Sequence, residues 1–390
     1  MNKLLVFLLS KPLITFGIVL AIAYSAACVF LLAAQGKFIF FPARAIETTP
    51  DDFQLKYQDV WLPIPAKTGA VETVHGWWIP ASENPGKFRG EVREAETVPL
   101  SETPPSPPLL RGGARKAETV PLSETPPSPP LLRGGARGAE TVPLSETPPS
   151  PPLLRGGARG AVPVPPLNKG GLGGVPVPGL NKEGLGRVVL YLHGNGSNVG
   201  ANVEHANRFH RLGVSVFLID YRGYGKSQGD FPSESRVYED AQQAWDYLVK
   251  QRGINPNQIY IYGHSLGGAI AIDLAVRHPE AAGLIVEGSF TSIRAMVNFQ
   301  QPQFLMFPID LLLTQRFDSL SKVDRLQMPV LFIHGTADSV VPAEMSKKLF
   351  DAAPEPKQLY MVPNGGHNNA AQIGGAEYLQ RVRQFLDSSK

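Results

Sequence analysis

The sequence predicts an α/β protein built on a mostly parallel sheet, and three observations carry that expectation. From residue 187 onward, short apolar runs of β type alternate with segments of helical period. Strands buried on both faces read as near-continuous apolar runs, and the helices between them supply the cover. At one junction, Gln258-Ile-Tyr-Ile-Tyr-Gly-His-Ser265-Leu-Gly-Gly-Ala, strand turns to helix through a Gly-x-Ser-x-Gly pentapeptide. Setting aside an N-terminal apolar span and an internal repeat leaves about 250 residues, the size of one domain of this class.

The chain has 390 residues and a formal net charge of +3, too small a balance to suggest nucleic acid as a partner. Its single cysteine, Cys28, lies in an apolar run, which excludes a disulfide framework, a cysteine metal cluster and a thiol nucleophile in the globular part. Residues 14–34 form an uncharged run long enough to cross a bilayer as a helix and longer than a typical cleavable signal core. Residues 1–37 are therefore expected to be an uncleaved membrane anchor, with Phe38, Phe40 and Phe41 beside Lys37 and Arg44 as an interfacial collar. Lys3 and Lys11 before the span balance Lys37 and Arg44 after it, so charge does not fix which side of the membrane carries the rest.

Residues 38–390 are expected to form the globular domain. Two β-type runs, Leu55 to Leu62 and Val71 to Ile79, read as an antiparallel hairpin leading into the sheet. A unit starting at Ala95 then recurs at Ala117 and Ala139 with a period of 22 residues, each copy carrying five prolines and a Gly-Gly pair. No helix or central strand tolerates that composition, so residues 91–186 are expected to be a disordered, partly polyproline-like insertion without a catalytic role. Its removal joins Trp78-Ile-Pro-Ala-Ser to Arg187-Val-Val-Leu-Tyr-Leu-His, a natural hairpin-to-core connection.

The alternation that follows predicts strands at 187–193, 214–220, 258–263, 283–287, 330–335 and 358–362. Helices are predicted at 201–212, 234–251, 267–277, 343–353 and 376–387. The stretch 290–324, with Phe304-Leu-Met-Phe-Pro and Leu311-Leu-Leu, interrupts the pattern and reads as a lid.

At the pentapeptide, a sharp reversal forces a strained backbone at Ser265, and Gly263 and Gly267 allow the neighbouring chain to pass without a Cβ clash. A serine hydroxyl is a weak nucleophile and needs a base, itself held by an acid. Asp338 follows the strand ending at Gly335, and His367 follows the strand ending at Val362, so both reach the carboxyl edge of the sheet. Ser265, Asp338, His367 is the order expected of hydrolases built on such an elbow. Glu287 is a reserve acid, whereas His264 is expected to point away and His193 and His334 to shape loops. The oxyanion of a tetrahedral intermediate needs two donors: the backbone N–H of Leu266, and that of Asn195 in the loop His193-Gly-Asn-Gly-Ser-Asn198. Because only its backbone is used, a change of the Asn195 side chain is expected to be mild. Gly194-Asn-Gly196-Ser-Asn-Val-Gly200 with Asp220 also mimics a dinucleotide fingerprint, but has one residue too many before the third glycine.

Leu192-His-Gly-Asn-Gly, Asp220-Tyr-Arg-Gly-Tyr-Gly-Lys-Ser, Gly263-His-Ser-Leu-Gly-Gly and Leu331-Phe-Ile-His-Gly-Thr-Ala-Asp together resemble the α/β-hydrolase superfamily. Phe38-Ile-Phe-Phe-Pro after an N-terminal anchor resembles its membrane-anchored α/β-hydrolase-domain branch, whose members include protein depalmitoylases. The resemblance covers residue 38 onward, apart from the repeats. It implies an eight-stranded α/β-hydrolase fold and a serine hydrolase acting on carboxylic esters or thioesters, lipidic or carried on an acylated protein, through an acyl-enzyme. No cofactor and no metal are implied. Two alternatives stand beside it: a serine aminopeptidase, which is also a label in this branch, and an inactive, membrane-tethered binding module on the same scaffold.

Overall fold

The computed structural model describes residues 2–65, 69–82 and 186–388, with side chains from residue 15 onward. The repeat insertion expected over 91–186 therefore lies outside the described residues, apart from Gly186.

A long apolar helix, α1 (Asn2–Ile39), opens the chain, and its stretch Thr15–Ile39 is long and apolar enough to cross a membrane. Strands β1 (Gln58–Pro65) and β2 (Val71–Ile79) follow as an antiparallel pair. Then come β3 (Val188–Leu192), α2 (Val203–Arg211), β4 (Ser215–Ile219), α3 (Glu234–Asp246), β5 (Ile259–His264), α4 (Leu266–Arg277) and β6 (Gly283–Glu287). The stretch expected to be a lid holds α5 (Ile293–Gln300), a 3-10 turn at Pro302–Met306 and the short α6 (Ile309–Leu312). The chain closes with β7 (Val330–Gly335), α7 (Ala343–Ala352), β8 (Lys357–Val362) and α8 (Ala370–Ser388).

The eight strands form one sheet in the order β1-β2-β4-β3-β5-β6-β7-β8. Among the described strands only β1–β2, the hairpin the sequence predicts, and β2–β4 pair antiparallel, and the rest of the sheet is parallel. Period-two alternation sends neighbouring residues to opposite cores. In β5, Ile259 and Ile261 pack with Val237, Trp245, Ile270 and Leu274 beneath α3 and α4, while Tyr260 and Tyr262 pack with Phe209, Val382 and Phe385 beneath α2 and α8. Fully burying one such side chain contributes about 1.5–3 kcal/mol, so the central strands hold the sheet edge on which the site is built.

Several boundaries differ from expectation. Helix α3 stops at Asp246 and continues as one π-type turn, Tyr247–Gln251. The predicted helix 376–387 is the second segment of the stretch Ala370–Ser388, which Gly375, with φ +49°, divides in two; what the sequence did not show is the short segment from Ala370 that precedes it. The aromatic collar is also corrected. Phe40 is buried against Phe317 and Phe231, and Arg44 donates to the carbonyls of Ser227 and Gly229, because the chain leaving α1 folds back over the domain. Phe38 and Phe41 do remain exposed.

The register locates the ends of the undescribed segment. Ile79 pairs with Val216, and Val216 pairs with Val189. The end of β2 and the start of β3 are therefore two strand spacings apart, about 10 Å. Both lie at the amino-terminal edge of the parallel strands.

Candidate active site

The opposite, carboxyl-terminal edge gathers the predicted chemistry. Ser265 stands between β5 and α4 with φ 54° and ψ −118°, a conformation that costs an L-residue about 1–3 kcal/mol. Local contacts hold it there. The Ser265 N–H donates to the Glu287 carbonyl at 2.9 Å, and its own carbonyl accepts from the Ser289 hydroxyl at 2.8 Å and the Gly268 N–H at 3.0 Å. A Cβ at Gly263 would overlap the Gly267 carbonyl, and one at Gly267 would overlap that of Leu192. The two glycines thus let α4 press against β5 and β3.

His367, in the loop after β8, faces Ser265 Oγ with Nε2 at 3.0 Å and Asp338 Oδ2 with Nδ1 at 2.7 Å. Nδ1 faces a carboxylate and carries the proton, which leaves Nε2 to accept the serine proton. Asp338 follows β7, and its side chain has no solvent exposure. Burial pushes its carboxyl up. That push is outweighed by donation from His334 and His367 and from the backbone N–H of Val341, and the group is held well below the usual carboxylate range. It is therefore an anion at neutral pH.

Two contributions go beyond what strand positions alone indicate. His334 Nε2 donates to the Val341 carbonyl at 2.9 Å and lies 3.1 Å from Asp338 Oδ2, while its Nδ1 meets the Ser346 hydroxyl at 2.6 Å. It therefore fixes the acid, and the spacing His334 to Asp338 across one turn was the available signal. His264 does not point away: its Nε2 lies 2.9 Å from the His367 carbonyl oxygen. Burial and the neighbouring His367 hold His264 below its ordinary value, so a neutral ring positions the backbone of the base. The reserve acid Glu287 is engaged elsewhere, accepting from the Tyr262 and Tyr378 hydroxyls.

The loop after β3 runs directly over the serine: a Cβ placed on Gly194 would lie 3.2 Å from that of Ser265. Asn195 is next in that loop. Leu266 opens α4, and the first N–H groups of a helix have no intrahelical acceptor. The structure gives the Asn195 side chain more to do than expected. Its Oδ1 accepts from the Phe41 N–H and the Tyr224 hydroxyl, each at 2.9 Å, and its Nδ2 donates to the Ile39 carbonyl at 2.5 Å. The end of α1 is thus fastened to the loop beside the serine. The glycine-rich loop after β4 braces it further, through the Tyr221 hydroxyl on the His193 carbonyl at 3.0 Å. Asp220, the residue that mimicked a ribose-binding acid, is buried and accepts the Val199 N–H.

Comparison with known proteins bears on the same segments. A family model described as serine aminopeptidase, S33, matches residues 185–320, and one described as PhoPQ-activated pathogenicity-related protein matches residues 292–389. An uncharacterized protein of Mycobacterium tuberculosis is 38% identical over 198 residues, spanning 51% of this chain and 69% of that one. The chain belongs to the α/β-hydrolase superfamily. Human alpha/beta hydrolase domain-containing protein 17B is 33% identical to this hydrolase over 199 residues, 51% of this chain and 65% of its own. Among solved structures, an esterase of Pyrococcus furiosus superposes with a TM-score of 0.52 at 14% identity, covering 90% of this chain and 97% of that one, which is a likeness of fold.

Proposed function

We propose that this hydrolase cleaves carboxylic ester or thioester bonds through an acyl-enzyme on Ser265. The observation that carries the reading is the unbroken relay Ser265 Oγ, His367, Asp338 at 3.0 and 2.7 Å. In the acylation step, Ser265 Oγ bonds to the acyl carbon while His367 Nε2 takes its proton. Asp338 stabilises the resulting imidazolium without becoming protonated. The N–H groups of Leu266 and Asn195 receive the developing oxyanion. The imidazolium then protonates the leaving oxygen or sulfur, and water activated by the same nitrogen releases the acid and restores Ser265.

Serine aminopeptidase chemistry is the second reading, favoured by the family model over residues 185–320. Such an enzyme must hold a substrate ammonium with carboxylates free to face it. In the lid, Asp310 is already paired with Arg294 at 2.6 Å, and Asp318 accepts the Ser321 N–H. The composition of the lid, with Phe304, Leu305 and Phe307 against few acidic residues, suits an acyl chain better. The Thr15–Ile39 stretch of α1 is read as a membrane anchor.

Competitive turnover of paired nitrophenyl acyl esters and aminoacyl amides tests the substrate class. The acyl series is expected to show the higher kcat/KM. An aminoacyl preference that is lost on Asp310→Asn overturns that assignment, and absence of turnover on both series by folded protein returns the chain to a binding module.

A further inference from the structure

The lid and the anchor are joined. The Tyr24 hydroxyl donates to the Met306 carbonyl at 3.1 Å, and its ring stacks on Phe307 at 5.4 Å between centroids. Phe38 meets Phe304 edge-on at 6.1 Å. Nearer the end of α1, Gln35 Nε2 donates to the Leu312 carbonyl, and Gln35 Oε1 accepts from the N–H groups of Thr314 and Gln315. The lid therefore lies along the second half of α1, with residues 304 and 312–315 near its Gln35–Phe38 end and residues 306–307 within reach of the Tyr24 side chain.

That register has a consequence for depth. Tyr24 is ten residues before Ala34, about 15 Å along a helix axis, and a hydrocarbon core is about 30 Å thick. If α1 crosses the bilayer over 14–34, Tyr24 lies near its middle, where a hydroxyl needs a protein acceptor and a peptide carbonyl needs a donor. The Tyr24–Met306 bond satisfies both. The outward surface of the lid has matching chemistry: Leu311 is 83% exposed and Met306 71% exposed, and Leu305 and Phe299 are also open. The charges lie at the shallow end. Arg294 pairs with Asp310, and Arg316 donates to the carbonyls of Asp310 and Leu313, just before the residues that bond Gln35.

We infer that the lid is a second membrane-embedded element, docked on α1, with Met306 in contact with the lipid chains of the bilayer and Leu311 at the interface. The inference rests on the anchor reading of α1. It also links the membrane to the site, because α5 of the lid ends at Gln300, whose side chain donates to the carbonyl of Val340, two residues after Asp338.

The test places single spin labels on the full chain in a Cys28→Ser background, reconstituted in phosphatidylcholine vesicles. Met306→Cys and Leu311→Cys report the lid, Val19→Cys the span, and Lys347→Cys a solvent-exposed helix of the domain. Collision with oxygen relative to a water-soluble nickel chelate is expected to be several-fold higher at 306 and 19 than at 347, with 311 between them. Lid positions that match 347 while 19 remains lipid-exposed overturn the inference and leave the anchor standing. An aqueous signature at 19 as well removes the anchor and the lid inference together. Lid labels shielded from oxygen and chelate alike show that a second copy of the chain covers the lid, which also overturns it.

Discussion

Replacing Asn195 by alanine keeps the backbone N–H beside Ser265 but removes three hydrogen bonds, to Phe41, Tyr224 and Ile39. A typical intramolecular hydrogen bond contributes about 1 kcal/mol net. The Phe41 N–H lies at an exposed contact and regains water, so the expected loss is about 2 kcal/mol, carried by the buried Tyr224 and the half-buried Ile39. For a domain of this size that lowers Tm by about 4–8 °C. Removing an oxyanion donor outright costs about 10²–10³ in kcat. Loosening one, with its N–H still present, should cost about tenfold to a hundredfold, with KM little changed. Asn195→Asp retains the acceptor but sets a carboxylate oxygen against the Ile39 carbonyl at the 2.5 Å position of the present donor, and should be at least as damaging. The assay is kcat and KM on a short nitrophenyl ester, with melting curves of both variants in detergent. A variant Asn195→Ala with wild-type Tm and kcat within about twofold of wild type refutes the reasoning. A lowered Tm with unchanged kcat shows that the clamp holds α1 but not the loop.

Four further outcomes are expected. Asp338→Asn should lower kcat by about 10³–10⁴, because an amide cannot hold His367 Nδ1–H against an anion. Since the folded carboxyl of Asp338 lies below its unfolded value, its contribution to stability is full above about pH 4 and is lost as pH falls toward the folded value. The wild-type melting temperature should therefore drop on acidification more steeply than that of Asp338→Asn, and parallel curves contradict the assignment. Deleting residues 95–184 should leave Tm and esterase turnover nearly unchanged, because the flanking strands end about 10 Å apart at the edge remote from Ser265; a large loss of either shows that the segment supports the domain. Carbonate-washed membranes should retain the full chain, and recovery of the full chain in the soluble fraction refutes the anchor.

The legible parts of the chain were those set by local pattern. Apolar runs bounded by glycine gave the strand order in sequence, and the Gly-x-Ser-x-Gly junction announced a strained serine whose φ proves to be positive. Asp338 and His367 could be picked because each follows a strand, and such positions converge at one sheet edge. What escaped depends on contacts between distant residues. The Asn195 side chain meets a residue 154 positions away, and His264 meets one 103 positions away, so neither role leaves a mark in local spacing. Phe40 looked like part of an interfacial collar because it follows an apolar span. Only the fold-back of the chain onto Phe317 reveals it as core.

The central claim, that Ser265 is the nucleophile activated by His367, is tested most directly by mapping covalent fluorophosphonate labelling of the folded full chain by peptide mass spectrometry. The account predicts a single adduct on Ser265, abolished in Ser265→Ala and slowed by orders of magnitude in His367→Ala. An unlabelled wild-type protein, or equal labelling and esterase turnover in Ser265→Ala, contradicts it.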